Sequence, residues 1–306
     1  MSAFATALAP IMVIICVGYG LKRARFLADE IWLGIEKLTY FILFPALLIR
    51  TLGNQSLSGT PWLPMLLVVA GTLMASATLL ILFKRFQSAV GNAAFTSIFQ
   101  GGVRFNTYIA LAVAQGLYGS AGLAMGSIAA GFMIVLINLL CISVFIIWGK
   151  AEFKGVKPFI RELISNPLII ACAIGWLLSL SGLGLPGITE DILEVIGRAA
   201  LPFGLLAVGA ALQPDAIRGH AKAIALSSIV QFGLKPLTAA LLIFSTGITG
   251  VAAGVLVVAF ISPTAPSAYI LARQLGGDTA AMASIITFQT LLAFLTMPLI
   301  AQVLLD

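Results

Sequence analysis

The fold is decided by two stretches of sequence in which an apolar run is interrupted near its centre. Residues 93–116 read AAFTSIFQGGVRFNTYIALAVAQG, and residues 260–267 read FISPTAPS inside a second apolar run. Proline removes a backbone donor and clashes with the preceding turn, while glycine lowers helix propensity. Both runs are therefore predicted to be helices that break midway. The predicted helix-breaking residues are Gly101, Gly102, Pro263 and Pro266.

The composition places these runs in a membrane. Of the 306 residues, 60% are hydrophobic and 9% are charged, whereas soluble domains carry about 25% charged residues. So few charges exclude a soluble enzyme, a nucleic-acid-binding protein and a disordered chain. A helix needs about 20 apolar residues to cross a bilayer, and the chain contains ten such runs. The predicted spans, numbered 1 to 10, are 4–21, 31–52, 62–83, 93–116, 121–148, 166–182, 192–212, 222–246, 252–272 and 280–304.

The loops between the spans alternate in charge, and this alternation predicts the orientation. Lysine and arginine occur after every odd-numbered span, at Lys22, Arg23, Arg25, Lys84, Arg85, Lys150, Lys154, Lys157, Arg161, Arg218, Lys222 and Arg273. The opposite side has only Arg50, together with the acidic Glu190 and Asp191. Because basic loops stay in the cytoplasm, both termini are predicted on the non-cytoplasmic side of the cell membrane.

The two halves of the chain resemble each other at an offset of about 157 residues. Pro45-Ala46-Leu47-Leu48 aligns with Pro202-Phe203-Gly204-Leu205, and Asn106 aligns with Pro263. Five spans per half is an odd number, so the second half must be inverted relative to the first. The sequence thus predicts an all-α membrane protein with inverted repeats at 1–150 and 151–306. Inverted repeats with matched broken helices are typical of secondary transporters.

Arg104 is the most informative polar residue. A charge at the centre of a span costs several kcal/mol, and no acidic residue lies at comparable depth in any span. Arg104 is expected either to bind a substrate carboxylate through two parallel hydrogen bonds or to link helices permanently through backbone carbonyls. The amino end of a half-helix after the break would favour an anion further.

Other polar residues could complete such a site. Lys235 offers a second positive charge, unless its long stem carries the ammonium group toward water. Asn138 and Gln289 either face the broken helices or link helices to each other. Arg198 lies four residues after Glu194, which predicts a local ion pair. The predicted substrate-binding residues are Arg104, Gln100, Asn106, Thr107, Asn138, Lys235, Ser262, Pro263 and Thr264.

Neither a cofactor, a metal nor enzymatic activity is expected. The chain has one histidine, no HExxH motif and no paired aspartates. Its three cysteines lie inside apolar runs without metal-binding spacing. Two functions other than a carrier remain open. An anion channel could use Arg104 as its selectivity charge, and a receptor could bind a ligand without moving it.

The chain as a whole resembles the auxin efflux carrier family, which includes plant auxin exporters and bacterial permeases for malate and malonate. The resemblance rests on the order and spacing of several short motifs. They are Lys37-Leu38, Phe44-Pro45-Ala46-Leu47-Leu48, Arg104-Phe105-Asn106-Thr107, Asn138-Leu139-Leu140, Lys235-Pro236, Ser262-Pro263-Thr264-Ala265 and Leu275-Gly276-Gly277-Asp278.

This resemblance implies an architecture and a substrate class. Spans 1, 2, 6 and 7 would form a scaffold that carries a homodimer contact, and spans 3–5 and 8–10 would form a moving transport domain. Spans 4 and 9 would cross at their breaks and bind a small organic anion there. Malonate, malate and an auxin-like acid all remain candidate substrates.

The mode of coupling is also left open. Related sodium- and proton-coupled families place acidic residues near the crossing, and this chain has none there. We expect uniport driven by the membrane potential. The alternative is sodium- or proton-coupled symport, in which backbone carbonyls and neutral polar side chains would form a sodium site.

Overall fold

The computed structural model describes residues 3–55, 59–87, 90–149 and 164–305. These residues contain helices and loops but no strand, which confirms the all-α class. The α-helices are α1 (Ala3–Arg23), α2 (Asp29–Leu38), α3 (Phe44–Gly53), α4 (Trp62–Phe86), α5 (Asn92–Val103), α6 (Thr107–Trp148), α7 (Pro167–Ser181), α8 (Thr189–Arg198), α9 (Ala200–Ala210), α10 (Ala221–Ile229), α11 (Lys235–Thr246), α12 (Gly250–Ile261), α13 (Ser267–Leu275) and α14 (Thr279–Leu305).

Two π-helical turns and one short 3₁₀ helix complete the described secondary structure. The π turn Thr39–Leu43 joins α2 to α3, and Val230–Leu234 joins α10 to α11. The 3₁₀ helix Pro214–Ile217 follows α9. A π turn makes room for one extra residue within a helix and often occurs near a functional site.

Seven helical stretches in the described chain are long and apolar enough to cross a membrane: Ala3–Arg23, Asp29–Gly53, Trp62–Phe86, Asn92–Trp148, Thr189–Ala210, Ala221–Thr246 and Thr279–Leu305. The count differs from ten for a physical reason. Asn92–Trp148 contains predicted spans 4 and 5 together, predicted span 6 is the shorter helix α7, and predicted span 9 is divided between α12 and α13. The count of ten therefore stays a prediction. The basic residues Lys150, Lys154, Lys157 and Arg161 lie outside the described residues.

The first interruption occurs at residues 104–106, between α5 and α6. Arg104 has extended backbone angles, φ −70° and ψ 163°. Asn106 then begins α6, because its side-chain oxygen accepts hydrogen bonds from the backbone N–H groups of Tyr108 and Ile109. Asparagine is among the best residues for this capping position. Gly101 and Gly102 are themselves helical, so the break follows the glycine pair.

The second interruption occurs between α12 and α13 and has a different cause. Ser262 precedes Pro263 and is extended, with φ −70° and ψ 143°. A residue before proline is sterically pushed out of the helical region, so α12 must end here. The two interruptions touch each other: the Asn106 N–H donates to the Pro263 carbonyl at 2.6 Å. The positions paired by the 157-residue offset are thus in direct contact.

Gly101 and Gly102 let helices approach closely beside the first break. A β-carbon on Gly101 would lie 2.6 Å from a methyl group of Ile285 and 2.9 Å from the Ser227 β-carbon. A β-carbon on Gly102 would lie 2.9 Å from Leu80. The absent side chains therefore allow α5 to pack against α4, α10 and α14. Close packing of the helices therefore accounts for the glycine pair, which lies directly before the break.

Replacing Gly101 with alanine should therefore destabilise the fold. Overpacking a filled core costs about 1–3 kcal/mol, which exceeds the gain of up to about 1 kcal/mol in helix propensity. We expect a net loss of about 1–2 kcal/mol, measured as a lower thermal midpoint of the purified protein. Gly34→Ala in α2 is the matched control, because a β-carbon there meets nothing within 4 Å. A Gly101→Ala variant as stable as this control would contradict the packing argument.

Candidate functional site at the two helix breaks

Arg104 lies in the first break and is held by neutral groups. It is 8% exposed. Its Nε donates to the Gln100 side-chain oxygen at 2.9 Å, and a terminal nitrogen donates to the Asn138 side-chain oxygen at 3.1 Å. None of the ion pairs in the described part of the chain includes Arg104. A buried charge without a counter-ion is costly, so an anion that could neutralise it would bind favourably.

Gln100 and Asn138 orient the guanidinium from two sides. The Gln100 amide nitrogen donates to the Ala268 carbonyl at 3.2 Å, which connects α5 to α13. The Asn138 amide nitrogen donates to the Ile134 carbonyl at 2.9 Å. Both side chains therefore present their oxygens to Arg104. They can position the arginine, whereas contacts to an anion would come from the guanidinium, which has five N–H donors.

Lys235 is fully buried and faces the carboxyl end of α5. Its ammonium group donates to the Val103 carbonyl at 3.3 Å, the Arg104 carbonyl at 3.0 Å and the Gln231 side-chain oxygen at 2.9 Å. Three acceptors match the three donors of an ammonium group. A positive charge is also favourable at a helix carboxyl end, where carbonyls lack partners. This geometry makes Lys235 a support of the break.

Two glutamines connect the breaks, and the sequence reasoning missed one of them. The Gln231 amide nitrogen donates to the Ser262 carbonyl, so Gln231 and Lys235 together hold both interruptions. The sequence did contain a signal for this residue, because Gln231 is a polar residue in an apolar run and lies four positions before Lys235. Gln289 donates to the Gly101 carbonyl at 3.0 Å and accepts from the Thr264 N–H at 3.1 Å. Gln289 thus also joins the two breaks.

The remaining predicted residues lie at the breaks but differ in their contacts. The Ser262 hydroxyl donates to the Val258 carbonyl at 2.7 Å, and the Thr264 hydroxyl donates to the Gln100 carbonyl at 3.4 Å. Thr107 is the first residue of α6, and Pro266 directly precedes α13. The side-chain nitrogen of Asn106 is buried and has no hydrogen-bond partner in the part of the chain that the structure describes.

The electrostatics of the site favour a negative ligand. Two positive side chains, Arg104 and Lys235, are buried beside the breaks. The amino ends of α6 and α13 follow the two breaks, and each carries a partial positive charge. The Asn106 side-chain nitrogen, which has no partner among the described residues, adds a donor beside the amino end of α6. These groups suit an anion better than a cation.

Comparison with known proteins points to membrane transport. Residues 151–301 match the model of a family described as membrane transport protein. This family is the auxin efflux carrier family, and the match covers the second half of the chain. An uncharacterized transporter of Methanothermobacter thermautotrophicus is 24% identical over 297 residues, covering 96% of each chain. The family resemblance found in the sequence is therefore confirmed. The two comparisons and the apolar helices support a multi-pass membrane protein that acts as a transporter.

Proposed function

We propose that the protein is a secondary transporter of organic anions that binds a carboxylate at the contact between the two helix breaks. The observation that carries this proposal is Arg104, which is buried in the first break and bonded to the neutral Gln100 and Asn138. Malonate, malate or an auxin-like acid would supply the missing negative charge. The protein would act as a carrier without enzymatic activity, cofactor or metal.

The carboxylate would be bound by three kinds of donor. Arg104 would contribute a guanidinium, which can hold a carboxylate through two parallel hydrogen bonds. The amino end of α6 would contribute its dipole and the backbone N–H of Thr107, because the N–H groups of Tyr108 and Ile109 already bond the Asn106 side chain. The side-chain nitrogen of Asn106, to which no described residue bonds, would contribute a further donor. Lys235 would hold the break in shape without contacting the anion.

We further propose ten spans in two inverted repeats, 1–150 and 151–306, with breaks that cross. The Asn106–Pro263 contact supports this arrangement, because each residue is the other's counterpart at the 157-residue offset. A second pair of irregularities agrees with the same offset. The π turn Thr39–Leu43 corresponds to residues 196–200, where α8 ends and α9 begins. The second π turn, Val230–Leu234, corresponds to residues 73–77 inside the continuous helix α4, so it has no counterpart in the first half.

Transport would follow an elevator-type alternating access. Spans 1, 2, 6 and 7 would be the fixed scaffold and dimer contact, and spans 3–5 and 8–10 would carry the anion across the bilayer. The bonds of Gln231, Lys235 and Gln289 all join elements of the proposed moving part, which would let both breaks move as one body. Both termini would lie on the non-cytoplasmic side of the cell membrane, as the basic loops indicate.

We prefer uniport because proton coupling would need an acidic side chain at the breaks. None of the ion pairs formed by the described acidic side chains lies there. We expect purified protein in liposomes to accumulate labelled malonate or indole-3-acetate under a potential that is positive inside, without a sodium or pH gradient. A potential of 100 mV is worth about 2.3 kcal/mol per charge, which corresponds to about 50-fold accumulation of a monoanion.

Three results would contradict this mode. Uptake that requires a sodium or proton gradient at zero potential would favour symport. Large single-channel currents that do not saturate with substrate would favour an anion channel on the same scaffold. No uptake of any carboxylate, with saturable binding intact, would favour a receptor.

A further inference from the structure

The carboxyl ends of two half-helices meet at the breaks. α5 ends at Val103 and α12 ends at Ile261, in each case directly before an extended residue. The last carbonyls of a helix lack partners within it, and its carboxyl end carries about half an elementary negative charge. Two such ends together amount to about one negative charge in the interior of the protein. A single monovalent cation between them would balance that charge.

The ammonium group of Lys235 lies against both of these ends. It bonds the carbonyls of Val103 and Arg104 at the end of α5. It also lies over the ring of Phe260, in the last turn of α12, at 6.0 Å from the ring centroid. The face of an aromatic ring attracts a cation. Because Lys235 is fully buried, these groups take the place of the water that would otherwise surround its charge.

Gln231 supplies the third oxygen around the ammonium group and connects it to α12. Its side-chain oxygen accepts from Lys235 at 2.9 Å, and its side-chain nitrogen donates to the Ser262 carbonyl. The hydrogen bonds of a π turn join residues five positions apart, so the turn Val230–Leu234 places both side chains on one face. We call the carbonyls of Val103 and Arg104, the Gln231 oxygen and the Phe260 ring the cation cradle.

The charge in the cradle is balanced by helix ends and not by a carboxylate. None of the ion pairs among the described residues includes Lys235. Neutral side chains bond two earlier carbonyls of α5: Gln289 donates to that of Gly101, and the Thr264 hydroxyl donates to that of Gln100. Neutral donors thus serve the preceding turn, and a charged donor is placed where the two helix ends meet.

Carriers with broken helices commonly bind a coupling ion at unwound carbonyls and at the carboxyl ends of half-helices. We infer that the cation cradle is a site for a monovalent cation, and that Lys235 fills it permanently as a cation tethered to the chain. The inference rests on the proposed function only for its consequence for coupling. A carrier whose cation belongs to its own chain needs no sodium ion to hold the two breaks together.

Replacing the tethered cation by a free one tests the inference without requiring transport. Lys235→Ala keeps the β-carbon and removes a segment that n-propylammonium matches in length and charge. We expect the variant to have a lower thermal midpoint than the wild type. Saturating n-propylammonium should restore at least about half of the lost midpoint, because it binds the folded state alone. 1-Propanol, which has the same chain without the charge, should not restore it.

Two further variants control for general effects of the amine. Lys235→Met fills the space with an uncharged chain, so n-propylammonium should leave its midpoint unchanged. Lys37→Ala, at an exposed position in the last turn of α2, should not respond either. Choline keeps the ionic strength constant in every titration. If Lys235→Ala unfolds during purification, n-propylammonium and 1-propanol are compared by the yield of monodisperse protein in gel filtration.

The wild-type protein provides an independent measurement. Because its cradle is already filled, replacing sodium by choline should change neither its thermal midpoint nor its Kd for a carboxylate. In Lys235→Ala, carboxylate binding should become dependent on added n-propylammonium, since the cradle includes the backbone of Arg104.

Several outcomes would overturn the inference. Equal rescue by 1-propanol would show that Lys235 supplies volume and not charge, and equal rescue of Lys235→Met would show a general effect of the amine. No rescue of Lys235→Ala, or a wild type that needs sodium, would show that Lys235 does not take the place of a free cation. Carboxylate transport without rescue would leave the proposed function intact, while rescue in a protein that binds no carboxylate would contradict the proposed function alone.

Discussion

Replacing Arg104 with glutamine should weaken carboxylate binding by about 100-fold. The substitution removes a positive charge and two parallel hydrogen bonds to the anion, each worth about 1.5 kcal/mol or more. A carboxylate at 100 times its Kd should stabilise the wild-type protein by about 2.7 kcal/mol. The same concentration should stabilise the variant by only about 0.4 kcal/mol. Thermal unfolding of the purified protein with malonate, malate, octanoate and indole-3-acetate measures both values.

The controls separate binding from folding. Arg104→Lys keeps the charge but loses the planar pair of donors, so its response should be intermediate. Arg85→Gln removes an exposed arginine at the end of α4 and should respond like the wild type. If a carboxylate stabilises the wild type and Arg104→Gln equally, Arg104 is a permanent link to Gln100 and Asn138, and the site at the breaks is misassigned.

Replacing Lys235 with methionine should cause the largest loss of stability among the polar residues at the breaks. The change leaves the carbonyls of Val103 and Arg104 and the Gln231 oxygen without their donor. A buried acceptor without a partner costs about 1–3 kcal/mol, and part of this loss is offset because an ammonium group no longer needs to be buried. We expect a loss of about 3 kcal/mol, measured by thermal unfolding without ligand.

A second variant tests whether Lys235 and Gln231 act as one unit. Gln231→Leu should destabilise the wild-type protein. The same substitution should cause a smaller loss of stability in the Lys235→Met protein, because the hydrogen bond between the two residues is already absent there. Lys37→Met, at an exposed position in the last turn of α2, is the matched control and should change stability little. A Lys235→Met protein as stable as this control would contradict the support role and leave Lys235 available for substrate.

Much of the fold follows from local sequence. An apolar run of about 20 residues can satisfy its backbone hydrogen bonds within the same segment only as a helix, so the helical class needed no tertiary information. The second break was predictable for a similar reason, because proline excludes the helical conformation at Ser262. The first break was predicted at the glycine pair and occurs just after it, where Asn106 caps a new helix.

The partners of the buried polar groups could not be predicted in this way. Hydropathy showed that Lys235 and Gln289 lie in apolar helices, but gave no information on which face each presents. Only the packed structure brings Lys235 to the carbonyls of Val103 and Arg104, more than 100 residues away in the chain. Gln231 was overlooked because its partner, the Ser262 carbonyl, is a backbone group with no signature in the sequence.

The ion pairs of Glu194 with Arg198 and Arg50 show the same division. The four-residue spacing of Glu194 and Arg198 predicted their ion pair, because one helical turn sets that distance. Arg50 bonds Glu194 from 144 positions away, which only the packing of α3 against α8 makes possible. The sequence by itself determined the membrane helices, the second break and this local pair, since each depends on neighbours along the chain. The tertiary structure decided the polar network at the breaks and the Arg50–Glu194 ion pair, because their contacts depend on how distant helices pack.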